Sequence, residues 1–201
     1  MMQKTTRFWA VLLAVILAVG GLATLANAQE DLPSWMTIEL VDAETGETFT
    51  LADFAGKTIL VEPMATWCSN CRRQITETTK LIKQLTEDED ERLENLVFIG
   101  LSIETNLKPA DLKAYAERNN FALTFAVMSE DMLRALVAEF GRGVANPPSS
   151  PSFIIRADGT FTELSFGIEP VEDILAKLEA EYMEVEAAAT AEPTAAATPK
   201  K

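Results

Sequence analysis

The chain has no histidine at all, only two cysteines, and 17 basic residues against 31 acidic ones in 201 positions. Each shortage closes off a class of function. A Cys-x-x-Cys can be half of a zinc site, but with no other cysteine and no histidine the four ligands cannot be completed. Haem attachment fails for the same reason, since Arg72 stands where that motif needs histidine. A disulfide framework is excluded too, because Cys68 and Cys71 lie in one motif and a bridge across so short a loop constrains the unfolded chain little. A net charge of −14 without a basic stripe excludes nucleic acid as a partner. Charge of this kind serves solubility more often than recognition. There is no internal repeat.

What is present concentrates in Ile59 to Gln74, ILVEPMATWCSNCRRQ. A β-branched apolar run breaks at Pro63 and leads through Ala65, Thr66 and Trp67 to Cys68-Ser69-Asn70-Cys71. Helix-compatible sequence follows, with apolar residues at Ile75, Leu81, Ile82 and Leu85. Strand, short loop, dithiol and helix is the arrangement that a redox site needs. The helix start offers unpaired N–H groups and a partial positive charge beside the first sulfur. Both favour the thiolate, which is the attacking species in disulfide exchange. The first sulfur is therefore expected to be exposed and acidic, and the second to lie a helical turn deeper.

These residues resemble the thioredoxin superfamily, and within it the secreted or membrane-tethered thioredoxin-like proteins of bacteria of the TlpA/ResA type. The shared pattern is an apolar strand, a small-residue turn, Trp-Cys-x-x-Cys and a basic helix start, here Trp67-Cys68-Ser69-Asn70-Cys71-Arg72-Arg73. The lead-in Leu51-Ala52-Asp53-Phe54-Ala55-Gly56-Lys57 is similar to the same exported and peroxiredoxin-related branch. The resemblance implies an α/β, thioredoxin-like fold: a central mixed β-sheet flanked by helices, with an N-terminal β-hairpin and an inserted strand and helix. It also implies a thiol–disulfide oxidoreductase in which Cys68 attacks and Cys71 resolves the mixed disulfide, with no cofactor beyond that pair. The implied partners are exported cysteine-containing proteins, apo-cytochrome among them, and a membrane thiol transporter as electron source. The expected state is a monomer.

The resemblance assigns further residues. A proline just before a strand is where such folds carry a cis-proline facing the dithiol. Pro151 in Asn146-Pro147-Pro148-Ser149-Ser150-Pro151-Ser152-Phe153 matches that position best, a plain proline-rich loop being the alternative. A cis bond there exposes the backbone of Ser150 for substrate pairing, and Trp67 is the other implied substrate contact. Glu62, six residues before Cys68, stands where thioredoxins keep a buried acid beneath the sulfurs. Burial would raise its pKa and let it shuttle the proton of the resolving thiol; the alternative is an outward-facing strand residue. The second acid common six residues after the first cysteine is absent, with Gln74 in its place. Pro63 and Met64 replace the usual aromatic pair.

Around this centre the chain reads as one domain with tails. Residues 1–28 form a leader: Lys4 and Arg7, an apolar run from Phe8 to Val19, then Ala26-Asn27-Ala28 as a cleavage site. An uncleaved anchor over residues 8–26 is the rival reading, and either places the domain, residues 33–183, outside the cytoplasm. No cysteine near the site allows lipid modification. Thr37–Val41 and Thr48–Leu51 read as a hairpin, Leu96–Ile103 as a buried strand, Lys108–Asn119 as a helix, and Phe121–Met128 as a strand. Ser129 suits an N-cap for a helix ended by Gly141. Phe153–Ile155 and Phe161–Leu164 pair about a turn at Asp158-Gly159, and Val171–Tyr182 is the last helix. Residues 184–201, rich in Ala, Thr and Pro, are expected to be a disordered tail.

Two other functions stay open on sequence and a third is closed off. A peroxiredoxin-like peroxidase would use Cys68 against peroxide, although Pro63-Met64-Ala65-Thr66-Trp67-Cys68 falls one residue short in both gaps of Pro-x-x-x-Thr-x-x-Cys. A copper carrier of the Sco type needs a histidine ligand, so no metal site is expected. A non-catalytic binding module on the same fold is the last.

Overall fold

The computed structural model describes residues 32–190, and the elements below belong to the unit that begins at Trp35. The predicted leader, residues 1–28, lies outside the described residues. A short hairpin comes first, β1 (Leu40–Val41) with β2 (Thr48–Phe49) antiparallel, turning through Gly46 at φ 77°. β3 (Thr58–Met64) is buried along its whole length, as a Thr-Ile-Leu-Val run covered on both faces should be. It passes through Pro63 instead of breaking there. Beyond Val61 the strand has only one neighbour, which is where a residue without an N–H is tolerated.

The first helix, α1 (Ser69–Glu87), buries Cys71, Gln74, Ile75, Thr78, Leu81 and Leu85, residues three and four apart that share one face. β4 (Leu96–Ser102) returns parallel to β3, pairing Thr58 with Leu96 through to Met64 with Ser102. Gly100 in β4 has no room for a side chain, since a Cβ there would meet the ring of Phe125 at 2.5 Å. α2 (Pro109–Asn119) begins on its proline and ends on Asn120 in the left-handed region. β5 (Thr124–Val127) extends the parallel part of the sheet. α3 (Glu130–Phe140) is capped by Ser129, whose hydroxyl accepts from the Met132 N–H at 3.1 Å, and stops at Gly141.

β6 (Phe153–Ile155) lies antiparallel against β3, so the order is β5-β4-β3-β6 with the motif strand inside. The hairpin covers the β5 edge through the Ala43 N–H to the Phe125 carbonyl at 2.8 Å, which removes an exposed strand edge. The expected closing strand at Phe161–Leu164 is reduced to isolated bridges, Ile155 with Phe161 and Ser152 with Ser165. Phe161 instead packs in a ring cluster with Trp35 and Phe140, and Phe153 joins the same cluster. α4 (Val171–Thr190) runs past Glu184, where a disordered tail was expected; the Ala and Glu residues there are strong helix formers. Residues 191–201 are outside the described ones. The result is the predicted mixed sheet flanked by helices, with the hairpin and the inserted α2–β5.

Candidate active site

β3 ends at Met64 and α1 begins at Ser69, so the four residues between them carry the chain from the end of a central strand to the helix start. Cys68 is the N-cap of α1, and Cys68 and Cys71 are joined as a disulfide with their Cα atoms 5.4 Å apart. The two sulfurs have different neighbours. The backbone N–H of Cys71 donates to Cys68 Sγ at 3.0 Å, so the first sulfur sits where the helix supplies a donor. Cys71 Sγ lies 3.2 Å from the carbonyl oxygen of Pro147. In the disulfide this is a contact; in the dithiol the Cys71 S–H can donate to that oxygen. A carbonyl dipole beside Cys71 opposes negative charge there, whereas the N–H beside Cys68 favours it.

Exposure does not separate the two. Cys68 and Cys71 are each 3% exposed, contrary to the expectation of an open first sulfur. Trp67, by contrast, is 61% exposed directly before them.

The turn before the dithiol is pinned by a residue that the sequence reading did not single out. Glu104 accepts from the Thr66 N–H at 2.6 Å and from the Thr66 hydroxyl at 3.2 Å, and its own N–H donates to Ser102 Oγ at 3.2 Å. Its signal was an acid placed directly after a buried apolar strand, but the partner lies 38 residues away in sequence.

Glu62 is buried beneath α1, as the resemblance implied, at 2% exposure. Its Oε1 accepts from Thr78 Oγ1 at 2.8 Å and from Gln74 Nε2 at 3.0 Å, both on the helix face that carries Cys71. Oε2 has no protein partner among the described residues. Burial pushes its pKa from 4.5 up to about 7; the bonds from Thr78 and Gln74 pull it down, and the Glu169 carboxylate adds a smaller upward push. Gln74 thus replaces the missing second acid with a strut: its Oε1 accepts from the Glu169 N–H at 2.7 Å while its amide holds Glu62.

The proline assignment needs correcting. Every peptide bond among the described residues is trans, including Ser150–Pro151. Ser150 turns the chain by taking φ 49°, ψ 63°, the left-handed conformation, in place of a cis bond. Pro151 is buried two residues before β6, and the carbonyl that reaches the dithiol belongs to Pro147. Ser150 is buried with its hydroxyl unpartnered, so its side chain is not a substrate surface in this form. Three prolines within five positions gave the sequence no means of ranking them.

Residues 31–163 match the AhpC/TSA family. The chain belongs to that family. No curated protein sequence matches it. Among solved structures it is similar to a thiol:disulfide interchange protein of the thioredoxin family from Chlorobium tepidum, 21% identical over 72% of this chain and 92% of that one, with a TM-score of 0.59. A SCO1/SenC family lipoprotein from Bacillus anthracis is 19% identical over 72% of this chain and 92% of its own, at 0.54. A secreted disulfide oxidoreductase from Mycobacterium tuberculosis is 15% identical over 73% and 97%, at 0.51. These likenesses establish the thioredoxin fold. The AhpC/TSA match gives the family, and on this fold the chain carries a Cys68–Cys71 pair at the start of α1. Glu62 is bonded through Gln74 and Thr78 to the helix that carries the dithiol, while Ser150 ends, and Pro151 follows, the turn whose Pro147 carbonyl reaches Cys71 Sγ.

Proposed function

We propose that this protein is an exported thiol–disulfide oxidoreductase that exchanges disulfides with cysteines of other exported proteins. The observation that carries the assignment of roles is the Cys71 N–H donating to Cys68 Sγ at the start of α1, while Cys71 Sγ faces a carbonyl. Cys68 is then the stable thiolate and the nucleophile.

In the reducing direction the Cys68 thiolate attacks one sulfur of a partner disulfide. The Cys68–partner bond forms, the partner's S–S bond breaks, and the departing partner thiolate takes a proton. Cys71 loses its proton and attacks Cys68 Sγ, forming the intramolecular disulfide and releasing the second partner thiol. Two electrons pass from the dithiol to the partner. Glu62 receives the Cys71 proton through Oε2, the oxygen left free by Thr78 and Gln74. A pKa of about 7 suits both taking and returning that proton near neutrality. The oxidising direction is the reverse. Only the Cys68–Cys71 pair is required as redox centre, and a membrane thiol transporter suits the supply of electrons outside the cytoplasm.

Export is supported by the leader pattern in the sequence. Among the described residues no helix is long and apolar enough to cross a membrane. Exposed Trp67 beside the dithiol supports contact with a polypeptide partner. The peroxidase alternative is weakened because the Thr66 hydroxyl is committed to Glu104 and not to the sulfur.

Trapping tests this. Cys71→Ser, expressed with its leader, should accumulate exported cysteine proteins as disulfides to Cys68 on non-reducing gels, and Cys68→Ser should trap far less. Equal trapping by both would overturn the assignment of the nucleophile. Consumption of peroxide with no trapping would replace exchange by peroxidase chemistry.

A further inference from the structure

Both cysteines are buried, yet exchange needs a partner sulfur in line with the Cys68–Cys71 bond. Some neighbouring segment has to move. Thr66 is not a candidate, held twice by Glu104. On the other side stands the Pro147–Ser149 turn, whose first carbonyl lies on Cys71 Sγ. Its internal bonds are short-range: the Ser149 N–H and hydroxyl both donate to the Asn146 carbonyl, and the Ser150 N–H donates to the Pro147 carbonyl. Besides the Cys71 sulfur, two bonds tie it outward. Asn70 Nδ2 donates to the Pro148 carbonyl at 2.9 Å, and the N–H of Gly167, on an exposed loop, donates to the Ser149 carbonyl at 2.9 Å.

The turn also ends on a conformation that the chain does not favour. Ser150 combines a positive φ, uncommon for a residue with a Cβ, with a buried hydroxyl that meets no acceptor or donor. Swinging the turn outward would hydrate that hydroxyl and let φ relax. The closed arrangement therefore depends on its ties, and one of them starts inside the Cys-x-x-Cys itself.

We propose that Asn70 is a positioning residue that latches the Pro147–Ser149 turn over the dithiol, and that exchange in either direction waits on release of this latch. Asn70 is placed for the task at the second position of α1, between the two cysteines, where its side chain bonds the turn at the Pro148 carbonyl. The proposal rests on the Cys68–Cys71 pair being the exchange site.

The test uses reduced and oxidised glutathione with the purified protein and its Asn70→Ala variant. Losing one hydrogen bond of ordinary strength should raise the rate of reduction by glutathione and the rate of oxidation by glutathione disulfide alike, by about threefold to tenfold. The equilibrium between protein and glutathione should stay where it is, because a latch on access changes both rates equally. Amide hydrogen exchange should quicken at Ser149 and Ser150 by a similar factor and stay unchanged at Thr66 and in α1. Unchanged rates in Asn70→Ala would overturn the latch. So would acceleration in one direction only with a shifted equilibrium, since that marks an effect on redox potential, and so would faster amide exchange throughout α1, which marks general loosening. No exchange between the parent protein and glutathione would instead count against the exchange site itself.

Discussion

The dithiol stands between two walls built in opposite ways. On the sheet side, Thr66 is fastened by two bonds to one carboxylate, and that carboxylate is set by the end of β4 through Ser102. On the loop side, the Pro147–Ser149 turn meets the active-site helix through one amide donor and the Cys71 sulfur, and ends on a left-handed serine. The difference shows how a site can be rigid and accessible at once. Atoms that must be placed to a fraction of an ångström, the nucleophile's turn above all, hang from strands. Atoms that must give way hang from a loop whose bonds are few and local.

The sheet side can be broken at two acids. The largest effect belongs to Glu62. Its folded pKa of about 7 lies above the ordinary 4.5, so the folded state holds a proton that the unfolded state has released between those values. Stability contributed by the neutral carboxyl is full below about pH 4.5 and is lost as pH rises through about 7, by about 3 kcal/mol in all. Glu62→Gln does not titrate. Denaturant midpoints from pH 4 to 8 should show the oxidised variant gaining about 3 kcal/mol on the parent across that range. A constant difference would mean that Glu62 is not a buried titrating group. The same variant should also slow resolution of the mixed disulfide near neutral pH.

A smaller loss follows from Glu104→Ala, which leaves the half-buried Thr66 N–H and hydroxyl without acceptors. About 2 kcal/mol of stability should go, read by urea denaturation. Asn70→Ala should cost less than this, and a cost as large as that of Glu104→Ala would erase the contrast between the walls. The smallest effect is at Trp67. Being mostly exposed, Trp67→Ala should leave stability within about 0.5 kcal/mol while weakening exchange with protein partners more than with glutathione. A stability loss of several times that size would assign Trp67 to packing.

The walls also differ in how far the sequence foretold them. The order of strands and helices was legible because its signals are local: the Ser129 cap, the Gly141 stop, the apolar runs of β3 and β4, and the Cys-x-x-Cys at a helix start. Glu62 was legible too, as an acid in a strand otherwise apolar. What stayed hidden depended on pairing across the fold. Nothing within a few residues of Glu104 announces Thr66, and nothing near Gln74 announces Glu169. The loop wall was misread for another reason. Choosing among Pro147, Pro148 and Pro151 requires knowing where the turn crosses α1, and periodicity carries no information about an aperiodic turn. The turn at Asp158-Gly159 predicts Phe161–Leu164 as the closing strand of a hairpin, but the first ring of that segment is claimed by the Trp35 cluster.

The register of the two central strands has a consequence for lineage and engineering. Met64 pairs with Ser102 at the top of the sheet, and Thr66 and Glu104 each follow two residues later, with the Ile103 N–H bonded to the Met64 carbonyl at 2.9 Å between them. The clamp exists only because both chains leave the sheet at the same height and advance in step. An insertion or deletion of one residue between positions 64 and 66 would carry Thr66 out of reach unless an equal change were made between 102 and 104. Related chains that keep this acid should therefore vary the lengths of these two connections together, and a graft of the Cys-x-x-Cys loop onto another member of the fold should include the first residues after β4 as part of the transplant.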